Sequence, residues 1–181
     1  MKISAQTGIR TCVLGVCLLG LAAHGASTGS GKISATGKAV TTLSLTKMSP
    51  GDNPKHEVSL IRRQDTDVCS DPAFGTFQVD TVNFSDYYVR GTGAQRGYRI
   101  ATHASGDKTF SAYEGITQVE RDQSGVDRYS FSGRWWYTGG TGRFSGIAGG
   151  GTYTGRLTAA GVVYEWEGEY EMPAKPAEAL K

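Results

Sequence analysis

Cysteine is scarce in this chain, and its placement makes it scarcer. There are three: Cys12 and Cys17 lie in one apolar run near the N-terminus, and Cys69 stands apart. If that run is removed, Cys69 has no partner for an internal disulfide. In an oxidising compartment it is then buried or pairs between chains. A catalytic thiol needs a neighbouring base, and the acidic context DTDVCSDP around Cys69 offers none.

A sustained helical period is missing as well. No stretch beyond residue 37 repeats apolar residues at three- and four-residue spacing, which argues against helical bundles and doubly wound folds. No apolar run reaches the length of a membrane-spanning helix. The longest, Cys12–Ala23 (CVLGVCLLGLAA), is too short. Nor is there a basic stripe, so a nucleic-acid partner has no electrostatic support.

Cofactor motifs fail on spacing. The Gly29–Lys32 sequence GSGK is followed by Ile33 where a phosphate loop needs Ser or Thr. Gly91–Gly97 (GTGAQRG) has the wrong glycine spacing for a dinucleotide fold. Around Ser145 the pattern GRFSG is not a nucleophile elbow. No cofactor and no metal are expected.

What is present begins with a processing signal. Lys2 and Arg10 precede the apolar run, and small residues follow at Ala23–Ser27. Residues 1–25 read as a signal peptide, with cleavage after Gly25 or after Ala26. Bulky Val16 before Cys17, with the apolar run continuing past it, argues against lipid attachment there. The expected location is periplasmic or extracellular. Removing the signal lowers Lys+Arg from 19 to 17 against 17 acidic residues, so the mature chain is formally neutral. Residues 26–37 read as a flexible leader, 38–172 as one domain, and 173–181, with two prolines, as a disordered tail.

The domain reads as a single all-β antiparallel barrel of about eight strands, calycin-like in build. Candidate strands are Lys38–Lys47, His56–Arg63, Phe74–Phe84, Tyr98–His103, Lys108–Glu120, Asp127–Thr138, Thr152–Leu157 and Val162–Glu171. Gln64–Pro72 and Gly91–Gly97 read as polar loops. Between Trp135 and Gly155 (WWYTGGTGRFSGIAGGGTYTG), Gly139, Gly140 and Gly142 mark tight turns. Phe144 is placed inward on a short strand between them, and a positive φ is expected at Gly142 or a neighbour.

Alternation along strands places side chains on opposite faces. Tyr129, Trp135 and Tyr137 share one face of their strand. Tyr164 and Trp166 share another, opposite a row of glutamates at 165, 167, 169 and 171 that faces solvent. These five aromatics are candidate ligand-binding residues of the interior, because Tyr and Trp join apolar bodies to polar tips. Two carboxylates share parity with apolar residues: Asp80 with Val82 and Phe84, and Glu114 with Phe110, Ala112 and Ile116. Facing a closed interior, such a carboxylate would be costly to ionise and suited to act as an acid or a ligand anchor. Tyr129 and Tyr137 are its expected donors. His103 alternates against Ile100 and reads as outward, and His56 reads as a surface residue.

The stretch Gly139–Phe144 (GGTGRF), followed by Gly146, Gly149, Gly151, Thr152 and Tyr153, resembles the allene oxide cyclase and dirigent superfamily, above all its bacterial secreted members. The ending Tyr164–Tyr170 (YEWEGEY) is similar to the same proteins. The resemblance covers roughly the last third of the chain. It implies a barrel that steers a reactive ligand mainly by the shape of its interior, and assembly into homo-oligomers. The family's functional residues lie outside the matched motif, so none is carried over. Three functions follow: a barrel binding a small apolar or aromatic molecule, a cyclase-like or dirigent-like protein steering cyclisation or coupling, or a structural barrel with a filled core.

Overall fold

A strand that alternates in a closed sheet must send one parity of side chains to the interior, and in this chain that parity sets polar residues such as Asp65, Asp67, Thr81 and Asn83 among an aromatic and aliphatic core. A computed structural model describes residues 29–173. The proposed signal at 1–25, with Cys12 and Cys17, and the tail beyond residue 173 lie outside the described residues.

Eight antiparallel strands form one closed barrel. They are β1 (Gly29–Met48), β2 (His56–Cys69), β3 (Thr76–Tyr88), β4 (Thr92–Thr102), β5 (Lys108–Arg121), β6 (Asp127–Gly140), β7 (Ala148–Thr158) and β8 (Gly161–Met172). Each pairs with its neighbour in sequence, and β1 closes the ring against β8. Closure leaves no unpaired strand edge. Irregularities between Ala39 and Ser44 bend β1 at the point where it leaves β8 and continues along β2.

Several expectations change. Residues 29–37 are not a flexible leader: they are the first half of β1, with Ile33 and Ala35 buried. Gln64–Cys69 and Thr92–Gly97 are strand, not loop, because they complete β2 and β4. Phe144 is buried as placed, but on a 3-10 turn, Gly142–Phe144. His103 faces inward and is 3% exposed. Asp80 and Glu114 point outward. Their strands bury Phe77, Val79, Thr81 and Asn83, and Thr109, Tyr113, Thr117 and Val119, instead.

The physical reason is an outer ridge of apolar and aromatic residues. Val82, Tyr98, Ala112 and Trp136 stand opposite one another across β3, β4, β5 and β6. Their apolar character imitates an inward face.

One end of the barrel is plugged. Phe74 from the β2–β3 connection, His103 after β4 and Phe144 meet with Phe77 and Tyr170. Ring centroids are 4.3 Å apart for His103 and Phe144, and 4.9 Å for Phe74 and Tyr170. The other end, where β1 turns into β2 and β7 into β8, is open.

Candidate functional site: the barrel interior

Above the aromatic plug lies a layer of buried charge. Asp65 and Asp67, two residues apart on β2, share its inward parity, and both are 0% exposed. Buried carboxylates persist only when paired and hydrogen-bonded, and here side chains pointing in from the barrel wall supply the partners. The Arg63 Nε donates to Asp65 Oδ1 at 2.8 Å, and the Thr81 hydroxyl donates to Asp65 Oδ2 at 2.7 Å. Arg99 Nη2 lies 2.9 Å from both oxygens of Asp67. The Tyr164 hydroxyl donates to Asp67 Oδ1 at 2.6 Å, and Trp166 Nε1 donates to Oδ2 at 2.7 Å. Five side chains from β2, β3, β4 and β8 therefore converge on two carboxylates.

Burial opposes the charge on Arg99, but Asp67 and Asp65 more than offset it, and its pKa is raised. Burial raises the Tyr164 phenol, Arg99 pulls against this, and the two aspartates reinforce it. Tyr164 thus stays a donor to Asp67. The ring needs a glycine beneath it: a Cβ on Gly37 would lie 2.0 Å from Tyr164 Cε2 and 2.6 Å from Asp67 Oδ1.

Between this layer and the open end is a cavity of about 490 Å³. Its walls include Leu45, Ile61, Tyr87, Phe131, Leu157 and Val162 toward the mouth, and Tyr113, Tyr153, Trp135 and Trp166 deeper in. Two polar pairs bridge its wall: Tyr113 donates to Asn83 Oδ1 at 2.7 Å, and Gln95 Nε2 donates to the Tyr153 hydroxyl at 3.0 Å. Burial pushes the Tyr113 phenol up to about 12. At the rim Lys47 pairs with Glu57 at 2.7 Å, and Tyr87 also donates to Glu57. Burial would raise the Glu57 carboxyl, but Lys47 and Tyr87 hold it below its ordinary value.

The five aromatics singled out from the sequence all face inward. Tyr129, Trp135, Tyr164 and Trp166 line the cavity. Tyr137 packs edge-to-face on Trp135, with centroids 5.0 Å apart. The two carboxylates do not join them. Glu114 pairs on the outside with Arg134, directly across β6, with the Arg134 Nε 2.8 Å from Oε1. Asp80 meets Gln64 on the outer face at 3.5 Å. Tyr129 and Tyr137 therefore cannot serve Glu114 as donors.

Asp65, Asp67, Arg63 and Arg99 were not anticipated. Asp65, Asp67 and Cys69 do alternate with Thr66 and Val68, a period of two that could have marked a strand with a polar inward face. Among the described residues no group of three or more His, Cys, Asp or Glu is placed to hold a metal ion. No helix among them is long and apolar enough to cross a membrane.

Comparison with protein-family models, with curated proteins and with solved structures returned no match for this chain.

Proposed function

We propose that this protein is an exported β-barrel that binds a small apolar or aromatic molecule in its interior. One observation carries the reading: a cavity of about 490 Å³, open at one end and walled by Trp135, Trp166, Tyr129, Tyr153 and Tyr164. That volume lies within the range of small-molecule pockets, and eight strands enclose space for one small ligand. A core filled by its own side chains would leave no such space, so the structural-barrel reading has less support. Mass spectrometry of protein purified under native conditions tests the proposal. A bound small molecule, released on denaturation, is expected; an empty barrel that also takes up no apolar or aromatic probe would refute it.

The resemblance to the allene oxide cyclase and dirigent superfamily belongs to this proposal too. A closed antiparallel barrel of eight strands and the glycine turn before Phe144 support it. A second reading follows, in which the interior steers cyclisation or coupling of a reactive ligand. Arg99 and Tyr164, which line the cavity and are held in place by buried Asp67, favour it, since such groups position polar atoms of a reacting molecule. Turnover of an unsaturated epoxide, or stereoselective coupling of a radical phenol, is the test. Assembly of copies, which the resemblance implies, would draw on the outer ridge at Val82, Tyr98 and Trp136.

A further inference from the structure

From the hydrogen-bond capacity of the cavity floor, we infer that the ligand carries a carboxylate, held by Arg63 and Arg99, on an apolar or aromatic body. This rests on the cavity reading above and narrows it to amphipathic organic acids.

The carboxylates of the floor are closed to a ligand, while their arginine partners are not. Asp65 and Asp67 are 0% exposed, and their oxygens accept from Arg63, Thr81, Arg99, Tyr164 and Trp166. No ligand reaches them. Their arginine partners are different: the side chains of Arg63 and Arg99 are 14% and 17% exposed, and both line the cavity. Arg63 uses only Nε on Asp65, and Arg99 uses only Nη2 on Asp67 and Tyr164. Among the described residues the remaining guanidinium nitrogens have no hydrogen-bond partner. No buried side-chain nitrogen or oxygen is left unsatisfied there either, so these N–H groups open onto the cavity.

The two guanidiniums flank one ring, with Arg63 Cζ 6.0 Å and Arg99 Cζ 5.1 Å from the Tyr164 centroid. They therefore act at one place. A guanidinium presents a planar fork that matches a carboxylate, and the bonds are charge-assisted. Above them Phe131, Leu157, Val162 and Ile61 supply an apolar sleeve for the rest of the molecule. The charged pairs below hold the guanidiniums rigidly, so little ordering is required when the acid enters.

Calorimetric titration of the whole protein with matched probes tests this: 3-phenylpropanoic acid against its methyl ester, and octanoic acid against methyl octanoate, at neutral pH. An aromatic or aliphatic cavity without donors prefers the ester, because the acid must shed its hydration. The inference expects the acid to bind about ten- to a hundredfold more tightly than its ester. Arg63→Met should reduce that preference severalfold, because Arg99 alone then meets the carboxylate. If Arg63→Met does not fold, the wild-type comparison stands alone, since it needs no variant. Esters binding as tightly as the acids would overturn the inference and leave the cavity reading intact. Binding of none of the four probes would overturn both.

Discussion

The Tyr164 hydroxyl lies 2.6 Å from Asp67 Oδ1, across 97 positions of sequence. The contact joins β8 to β2 over the intervening β1, and with Arg99 and Trp166 it ties the interior of the barrel together. Asp67→Ala would leave the Arg99 charge buried beside a gap. Breaking one side of a buried pair costs about 3–5 kcal/mol, and urea unfolding should show a loss of that order. Unchanged stability would mean that Arg99 is not committed to Asp67.

Alkaline pH should weaken the fold. Burial raises the phenols of Tyr113, Tyr137, Tyr153 and Tyr164 above the ordinary value of 10. Above that value the unfolded chain loses protons that the folded chain keeps. Stability is therefore intact below pH 10 and falls as pH rises toward about 12, the Tyr113 value. Unfolding midpoints measured between pH 8 and 11.5 should drop, and Tyr113→Phe should flatten the decline. A midpoint constant over that range would contradict the burial of these phenols.

The two described histidines should titrate in opposite directions. His56 is hydrogen-bonded to Asp86 at 2.6 Å and to Asp52 at 2.7 Å, and these carboxylates raise it above 6.5. Its contribution to stability is present below 6.5 and is lost as pH rises through the folded value. His103 sits among Phe74, Phe77 and Phe144, and burial lowers it. Its contribution is present above 6.5 and is lost as pH falls through the folded value. Proton NMR should resolve two imidazoles on opposite sides of 6.5. Two midpoints on the same side would be incompatible with these environments.

Gly142→Val tests the turn before Phe144. Gly142 has φ 55°, and a Cβ there would lie 1.8 Å from Asp107 Oδ1. A loss of about 1–3 kcal/mol is expected from the backbone conformation alone. An unaltered melting temperature would show that the turn relaxes without cost.

Glu114→Gln should do little. The Glu114–Arg134 pair is on the outer face, with side chains 47% and 73% exposed. Exposed pairs are worth about 0–1 kcal/mol, and calorimetric affinity for the acid probes should not move. A loss of ligand affinity would place this carboxylate functionally inside after all.

Much of the architecture was legible because strand alternation and glycine punctuation are local signals. The aromatic parity of Val162–Glu171 put Tyr164 and Trp166 inside, and the glutamates between them outside. The cluster GGTG announced a left-handed turn, and Gly142 and Gly139 have positive φ. Eight strands also followed from local spacing. What escaped was any segment whose inward face is polar. Residues 64–69 and 92–97 looked like loops because hydrophobic periodicity registers only apolar inward faces, and these present Asp65, Asp67 and Gln95.

Orientation needed the closed sheet. Glu114 sits among Phe110, Ala112 and Ile116, a pattern that locally fits an inward face as well as an outward one. Pairing of β5 with β4 and β6 placed that face outside, against Tyr98, Arg134 and Trp136. The buried charge layer likewise exists only in three dimensions. Arg99 and Asp67 are 32 residues apart, and Asp67 and Trp166 are 99 apart. The sequence by itself determined strand periods, turns and the face on which the five aromatics lie, since those depend on neighbours a few residues away. Which face of each remaining strand is inside, and which charges meet there, was decided by closure of the barrel, because only closure removes one face of every strand from water.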